Sequence, residues 1–132
     1  MAIAIQVTAI KPFAPSLEFV NSSANTDCSG QSKFSFDIKP DVWAYTKNYK
    51  RGATDVARAE IIMEFKWHQS DDPFCEPYPL PGDLNRSTFL RDNKSGRDTL
   101  GQITSYTAAQ LGSQFRTHIY SVLIVKDYAR LI

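Results

Sequence analysis

The sequence predicts an α/β or α+β domain, a central mixed sheet flanked by helices. Three observations carry this. Four short apolar runs have the β-branched and aromatic content of strands. One stretch, TLGQITSYTAAQLGSQF, has helical spacing instead. That stretch falls between the second and third runs, so the expected order is strand, strand, helix, strand, strand. At 132 residues the chain suits one domain over 1–132, large enough to bury a real core.

Each element follows from local pattern. Residues 13–20, FAPSLEFV, fit either a short helix or a strand. Asn21 to Ser32 is rich in Ser and Asn, contains Gly30, and reads as a loop. SKFSFDIKPDVWAY alternates, with Phe34, Phe36 and Ile38 on one side and Ser35, Asp37, Lys39 and Asp41 on the other. Pro40 cannot donate to a ladder, so it marks an edge, a bulge or the end of regular pairing. TKNYKRGATDVA connects to AEIIMEFKW, whose core face is expected to be Ile61, Met63, Phe65 and Trp67. From His68 to Arg97 the chain is dense in Asp, Pro, Gly and Asn. That is too long for an ordinary connection, so residues 69–97 are expected to be an insertion with a function or with mobility. In the helix Leu100, Ile103, Thr107, Leu111 and Phe115 recur on one stripe, with Asp98 or Thr99 as cap. THIYSVLIVKDYARLI closes as a strand, a Lys126–Asp127 turn and a second apolar run. The Tyr128–Ile132 run is expected to need a partner strand, from a homodimer or from downstream sequence, since an unpaired apolar edge favours association.

Composition narrows the function classes. A net charge of +1 gives no global electrostatic footprint for nucleic acid, although a local groove is compatible with it. Cys28 and Cys75 are the only cysteines and are far apart, which makes neither a disulfide framework nor a zinc site and fits a reducing compartment. No stretch approaches the roughly 20 apolar residues that span a bilayer. The opening MAIAIQVTAI lacks a basic segment and a small-residue cleavage site. The expected location is therefore intracellular, in cytoplasm or nucleus.

AEIIMEFKW poses the chemical question. Ile62, Glu64, Lys66 and His68 share one face of the strand, apolar at its start and charged at its end. Such a face either is solvated, with Glu64 and Lys66 as a surface pair worth little, or emerges into a cleft. Asp41 ends the polar face of the preceding alternating run, and a second carboxylate is what a hard cation requires. Gln102 and Tyr106 stand one turn apart on the helix and point the same way.

At these residues the sequence resembles the PD-(D/E)xK nuclease superfamily, whose fold is restriction-endonuclease-like. KPDVWAY is similar to its PD motif, EFK to its (D/E)xK motif and GQITSY to the Q-x-x-x-Y motif of its RecB-like branch, over roughly residues 34–125. The resemblance implies a restriction-endonuclease-like core and hydrolysis of a phosphodiester in DNA or RNA. It implies that Asp41, Glu64 and the backbone carbonyl of Phe65 hold Mg²⁺ or Mn²⁺. Lys66 would be the catalytic lysine, with Gln102 and Tyr106 orienting substrate or site. Glu18 would correspond to the helix-borne acid of some members.

KPDVWAY, EFKWHQSDDPF and the run from GQITSY to YARLI also resemble the N-terminal part of the fungal-type protein kinase-like (FunK1) family. In that family the pattern continues into a kinase-like domain, so the resemblance implies that this chain is a fragment of a longer one with that domain as partner. No phosphate-binding glycine loop, V-A-I-K lysine, H-R-D or D-F-G is present here, so phosphoryl transfer is not expected of these residues.

Simpler roles compete at each position. Thr99 and Gln102 fit a capping box, and Tyr106 fits a half-buried aromatic with a wet hydroxyl. Trp43 and Trp67 fit the core, His68 and His118 either the surface or a satisfied place in the core, and Asp71 and Asp72 before Pro73 a turn. Three functions remain open: a metal-dependent nuclease, a silent nuclease-fold module of a kinase-like protein, and an unrelated binding domain whose motifs coincide. The intact Asp41, Glu64 and Lys66 set favours the first.

Overall fold

A computed structural model describes residues 8–22, 35–48, 54–75 and 89–132. Phe34, Cys28 and the middle of the 69–97 insertion lie outside them. The described chain is a five-stranded mixed sheet with a long helix on one face. Strands β1 (Leu17–Asn21), β2 (Val42–Thr46), β3 (Ile61–Lys66), β4 (Ser121–Val125) and β5 (Tyr128–Leu131) lie side by side in chain order. Neighbours run antiparallel except β3 and β4, which are parallel. Parallel neighbours need a crossover, and α1 (Lys94–Gln114) lies within it. The α+β expectation with a mixed sheet holds.

The ambiguous segment 13–20 divides. Lys11–Phe13 forms a 3-10 turn with proline near its start, and β1 follows at Leu17. Glu18 is thus on a strand opposite Tyr45, not on a helix, and does not correspond to a helix-borne acid. The alternating run also needs correction, because the strand begins after Pro40 and the described residues before it are irregular. Pro40 and Ile38 are buried while Phe36 is 40% exposed, so Phe36 is not a core partner of Ile38.

Strand β3 corrects the expected core face. Ile62 packs with Trp43, Tyr45, Tyr106 and Ala109 in the cluster under α1, so the face carrying Glu64 and Lys66 is the one the helix covers. Met63 is buried on the other face, but Ile61 and Phe65 are half-buried and Trp67 is 60% exposed. The alternation stops applying at Lys66. There the strand ends and the chain bends into a 3-10 turn, Gln69–Asp71.

Helix α1 begins earlier than its apolar spacing suggests. Asn93 is the cap, its Oδ1 accepting from the Gly96 amide at 2.8 Å. The first turn is tied to the 3-10 turn, because Asn93 Nδ2 and Ser95 Oγ both donate to the Ser70 carbonyl at 2.9 Å. A Cβ at Gly96 would stand 2.6 Å from Asn93 Oδ1 and 3.3 Å from the Asp72 carbonyl, so any side chain here would displace the capping Asn93. With Thr99 buried inside the helix, the Thr99–Gln102 capping box is excluded. The buried face is Thr99, Ile103, Tyr106 and Gln110 rather than the stripe through Leu111 and Phe115. Phe115 adopts a left-handed φ of 54° at the C-cap and is 95% exposed. The far end is clamped by glutamines, with Gln110 and Gln114 Nε2 each 2.6 Å from the Ala59 carbonyl. Both ends of α1 are therefore anchored to chain flanking β3, which fixes the helix over Glu64 and Lys66.

The insertion is pinned where it leaves and returns. Phe74 and Leu90 form a bridge, and the Cys75 amide donates to the Phe89 carbonyl at 2.7 Å. Asp72, expected only as a turn former, is fully buried. It accepts from the Phe74 amide as a turn former does, and also from Tyr128 Oη at 2.6 Å and Arg130 Nε at 2.8 Å on β5. β5 thus pairs with β4 and carries the anchor for this segment.

Candidate functional site

Antiparallel register brings the first two acids together. Val42 pairs with Met63, and each step back along β2 is a step forward along β3, so Asp41 falls opposite Glu64. Asp41 is held there through its neighbours. Ser22 Oγ donates to the Pro40 carbonyl at 2.7 Å, and the Ser22 amide donates to the Asp41 carbonyl at 3.0 Å. Asp41 Oδ2 accepts from the Phe65 amide at 2.8 Å, closing the ladder where backbone pairing stops. Its Oδ1 has no protein partner among the described residues.

Glu64 is only 5% exposed, which excludes the surface-pair reading. Its Oε1 accepts from Lys66 Nζ at 2.9 Å, while Oε2 is buried without a hydrogen-bond partner. Lys66 Nζ also donates to Gln102 Oε1 at 2.8 Å, so a residue from α1 closes over the strand pair. One turn on, Tyr106 Oη donates to the Lys39 carbonyl at 3.2 Å. That ties the helix to the segment leading into Pro40 and Asp41. Asp41, Glu64, Lys66, Gln102 and Tyr106 therefore converge, with the Phe65 backbone beside them.

The electrostatics follow from burial of acids. Glu64 has its pKa raised above 4.5, first by desolvation, with the Asp41 charge adding and the Lys66 hydrogen bond opposing. Tyr106 is pushed up to about 12 by burial and by the negative charges of Glu64, Asp41 and Asp37. It is a hydroxyl donor at neutral pH and not a base.

An unpartnered buried carboxylate oxygen is uncommon, because leaving it unsatisfied costs about 1–3 kcal/mol. A bound cation would satisfy Oε2. Magnesium binds through one or two carboxylates and otherwise keeps its waters, so Asp41, Glu64 and the Phe65 carbonyl are a chemically adequate donor set. No three acidic, His or Cys side chains gather around a common point among the described residues.

Other positions stay apart from this centre. His68 is exposed, and exposed His118 pairs with Thr117 Oγ1 and meets the Tyr120 ring edge-on. Trp43 is completely buried, as expected. Ser22, the Lys39 carbonyl and Asp72 emerge only from the structure, since no local pattern marks a side chain by its distant partner. No described helix is long and apolar enough to cross a membrane.

Compared with family models, curated proteins and solved structures, the chain matches none of them.

Proposed function

We propose that this domain is a metal-dependent phosphodiesterase acting on DNA or RNA, built on a restriction-endonuclease-like core. The observation that carries the reading is Glu64: its Oε2 is buried and unpartnered beside Asp41, while Oε1 is held by the lysine two residues on. The strand order and the helix after β3 are compatible with that core.

Asp41 and Glu64 would hold Mg²⁺ or Mn²⁺ with the Phe65 carbonyl. When bound, the ion supplies Lewis-acid polarisation of a phosphoryl oxygen and makes hydroxide accessible near neutrality. The remaining work belongs to the chain. Lys66, 19% exposed, offers a positive charge to the anionic phosphorus centre. Gln102 Oε1 accepts from the same ammonium as Glu64, which limits the directions it can point. Tyr106 fixes the Lys39 carbonyl and with it the approach to Asp41.

The competing role is a silent module carrying the same fold, as part of a fungal kinase-like protein. The near-neutral charge of +1 favours it, because nucleic-acid affinity leans on phosphate contacts. Incubation with plasmid, single-stranded DNA and RNA separates the two. The nuclease reading predicts cleavage with Mg²⁺ or Mn²⁺, none with chelator, and a loss of roughly 10²–10³-fold in Lys66→Ala. No cleavage of any substrate, or equal cleavage by Lys66→Ala, would leave the silent module.

A further inference from the structure

The strand partner expected for the Tyr128–Ile132 run is supplied inside the chain, because β5 pairs with β4. What the fold leaves open is a face. Ladder partners point to the same side of a sheet, so the side turned away from α1 can be followed strand by strand. Val42, Met63, Val122 and Leu131 form one row across it, and Phe65, Ile124 and Ala129 form the next. Burial falls steadily along the first row. Val42 is 0% exposed and Met63 4%, Val122 is half-buried, and Leu131 is 70% exposed. In the second row Phe65 and Ile124 are half-buried and Ala129 is exposed. Tyr120, which the parallel register sets beside Ile61, is 52% exposed. On the α1 side the same part of the sheet is shut, with Leu123 and Val125 fully buried. An apolar surface that starts as core at β2 and runs out uncovered at β5 marks an interaction site.

We infer that this face packs against the same face of a second copy about a two-fold axis, making the domain a weak homodimer. Charge selects the occupant. The patch itself carries none, so it offers nothing to a nucleic acid or an acidic peptide and suits an apolar partner. A two-fold axis sets a surface against itself, which works only where like charges do not meet. The charges at the two ends of the patch come in opposite-sign pairs. Lys126 stands 3.7 Å from Asp127 at the β4–β5 turn, and Arg116 2.8 Å from Glu60 where β3 begins. A net charge of +1 adds little repulsion between copies. Size sets the strength. Three strands about 4.8 Å apart and three rows about 6.7 Å apart give a footprint of roughly 300 Å² per copy. A standard interface takes about 800 Å² from each partner, so the expected dissociation constant is about 10–100 µM. Glu64 and Lys66 lie on the α1 side of β3, so the Asp41–Glu64 centre of each copy stays clear of the contact. The dimer holds whatever chemistry that centre performs.

Sedimentation of the chain from about 1 to 500 µM tests this. The average mass should rise from that of one copy to twice it and level there. Leu131→Glu and Ile124→Lys place charge on the patch and should each weaken association by about tenfold or more. Phe13→Glu serves as control, because Phe13 is 89% exposed but stands beside β1, at the far edge of the sheet. It should dimerise as wild type does. Leu131→Glu should also melt as wild type does in dilute solution, since position 131 is exposed, which attributes its monomeric state to the contact and not to unfolding. A wild type that keeps the mass of one copy throughout overturns the inference. So does a mass that climbs past two copies without levelling, which is open-ended association. Dimerisation lost in Leu131→Glu but unchanged in Ile124→Lys means pairing through the β5 edge, and overturns the face as the contact. Dimerisation unchanged in both overturns it as well.

Discussion

Replacing Glu64 by glutamine should make the metal-free protein more stable while removing a ligand of the proposed metal site. The side chain is 5% exposed, one oxygen is bonded to Lys66, and the other has no hydrogen bond of normal geometry, with only the Asp41 backbone near the carboxylate. Glutamine keeps an acceptor for Lys66 but loses the charge assistance, a cost of about 1 kcal/mol. Against that, the buried unpartnered oxygen, worth about 1–3 kcal/mol, is replaced by an amide able to donate toward Asp41. The balance is a gain of about 1 kcal/mol, or roughly 3–5 °C in a domain of this size. The pH dependence gives the test its direction. The folded protein holds the Glu64 proton more tightly than the unfolded chain, because burial raises its pKa above 4.5. Wild type therefore loses stability as pH rises from 4.5 through the raised value, and the Gln variant does not. Thermal unfolding in chelator should show the gap closed at about pH 4 and widening as pH rises above 4.5. A variant less stable than wild type at pH 8, or a gap that ignores pH, would refute the reasoning.

Other perturbations separate positioning from ligation and site from scaffold. Gln102→Ala frees one side of Lys66, so single-turnover cleavage should fall about tenfold, the equivalent of one charged hydrogen bond. Its Mn²⁺ affinity should stay within about twofold of wild type, and parallel loss of metal binding would remove the positioning role. Asp72→Ala should cost about 3 kcal/mol by urea titration, since it strands Arg130 and Tyr128 around a buried vacancy. Burial raises the Asp72 pKa, but the hydrogen bonds from Arg130 and Tyr128 outweigh it and hold the group below 3.8. Its stabilisation is present above 3.8 and lost as pH falls through the depressed value, so the gap to Asp72→Asn should shrink only in acid.

What the sequence made legible was local chemistry at strand ends. Asp41, Glu64 and Lys66 were nameable because each stands in a run whose alternation breaks. Gln102 and Tyr106 were nameable because one helical turn separates them. The register joining Asp41 to Glu64 is a property of two strands and their turn, which neither segment contains alone. Trp67 was misplaced because alternation was extended one residue beyond the end of β3, and Phe36 because it was extended to residues before the start of β2. The start of α1 was missed because Asn93, Ser95 and Gly96 are chosen to dock on Ser70 and Asp72 rather than to form an apolar stripe. Asp72 looked like a turn residue and is one, but its carboxylate also anchors β5, through partners 56 and 58 positions further along the chain.

The central claim is that Asp41 and Glu64 share one divalent cation, and calorimetric titration of Mn²⁺ at neutral pH tests it most directly. Wild type should show saturable binding, and Asp41→Ala and Glu64→Ala should each show none while retaining a cooperative melt. Binding unchanged in both variants would contradict the account.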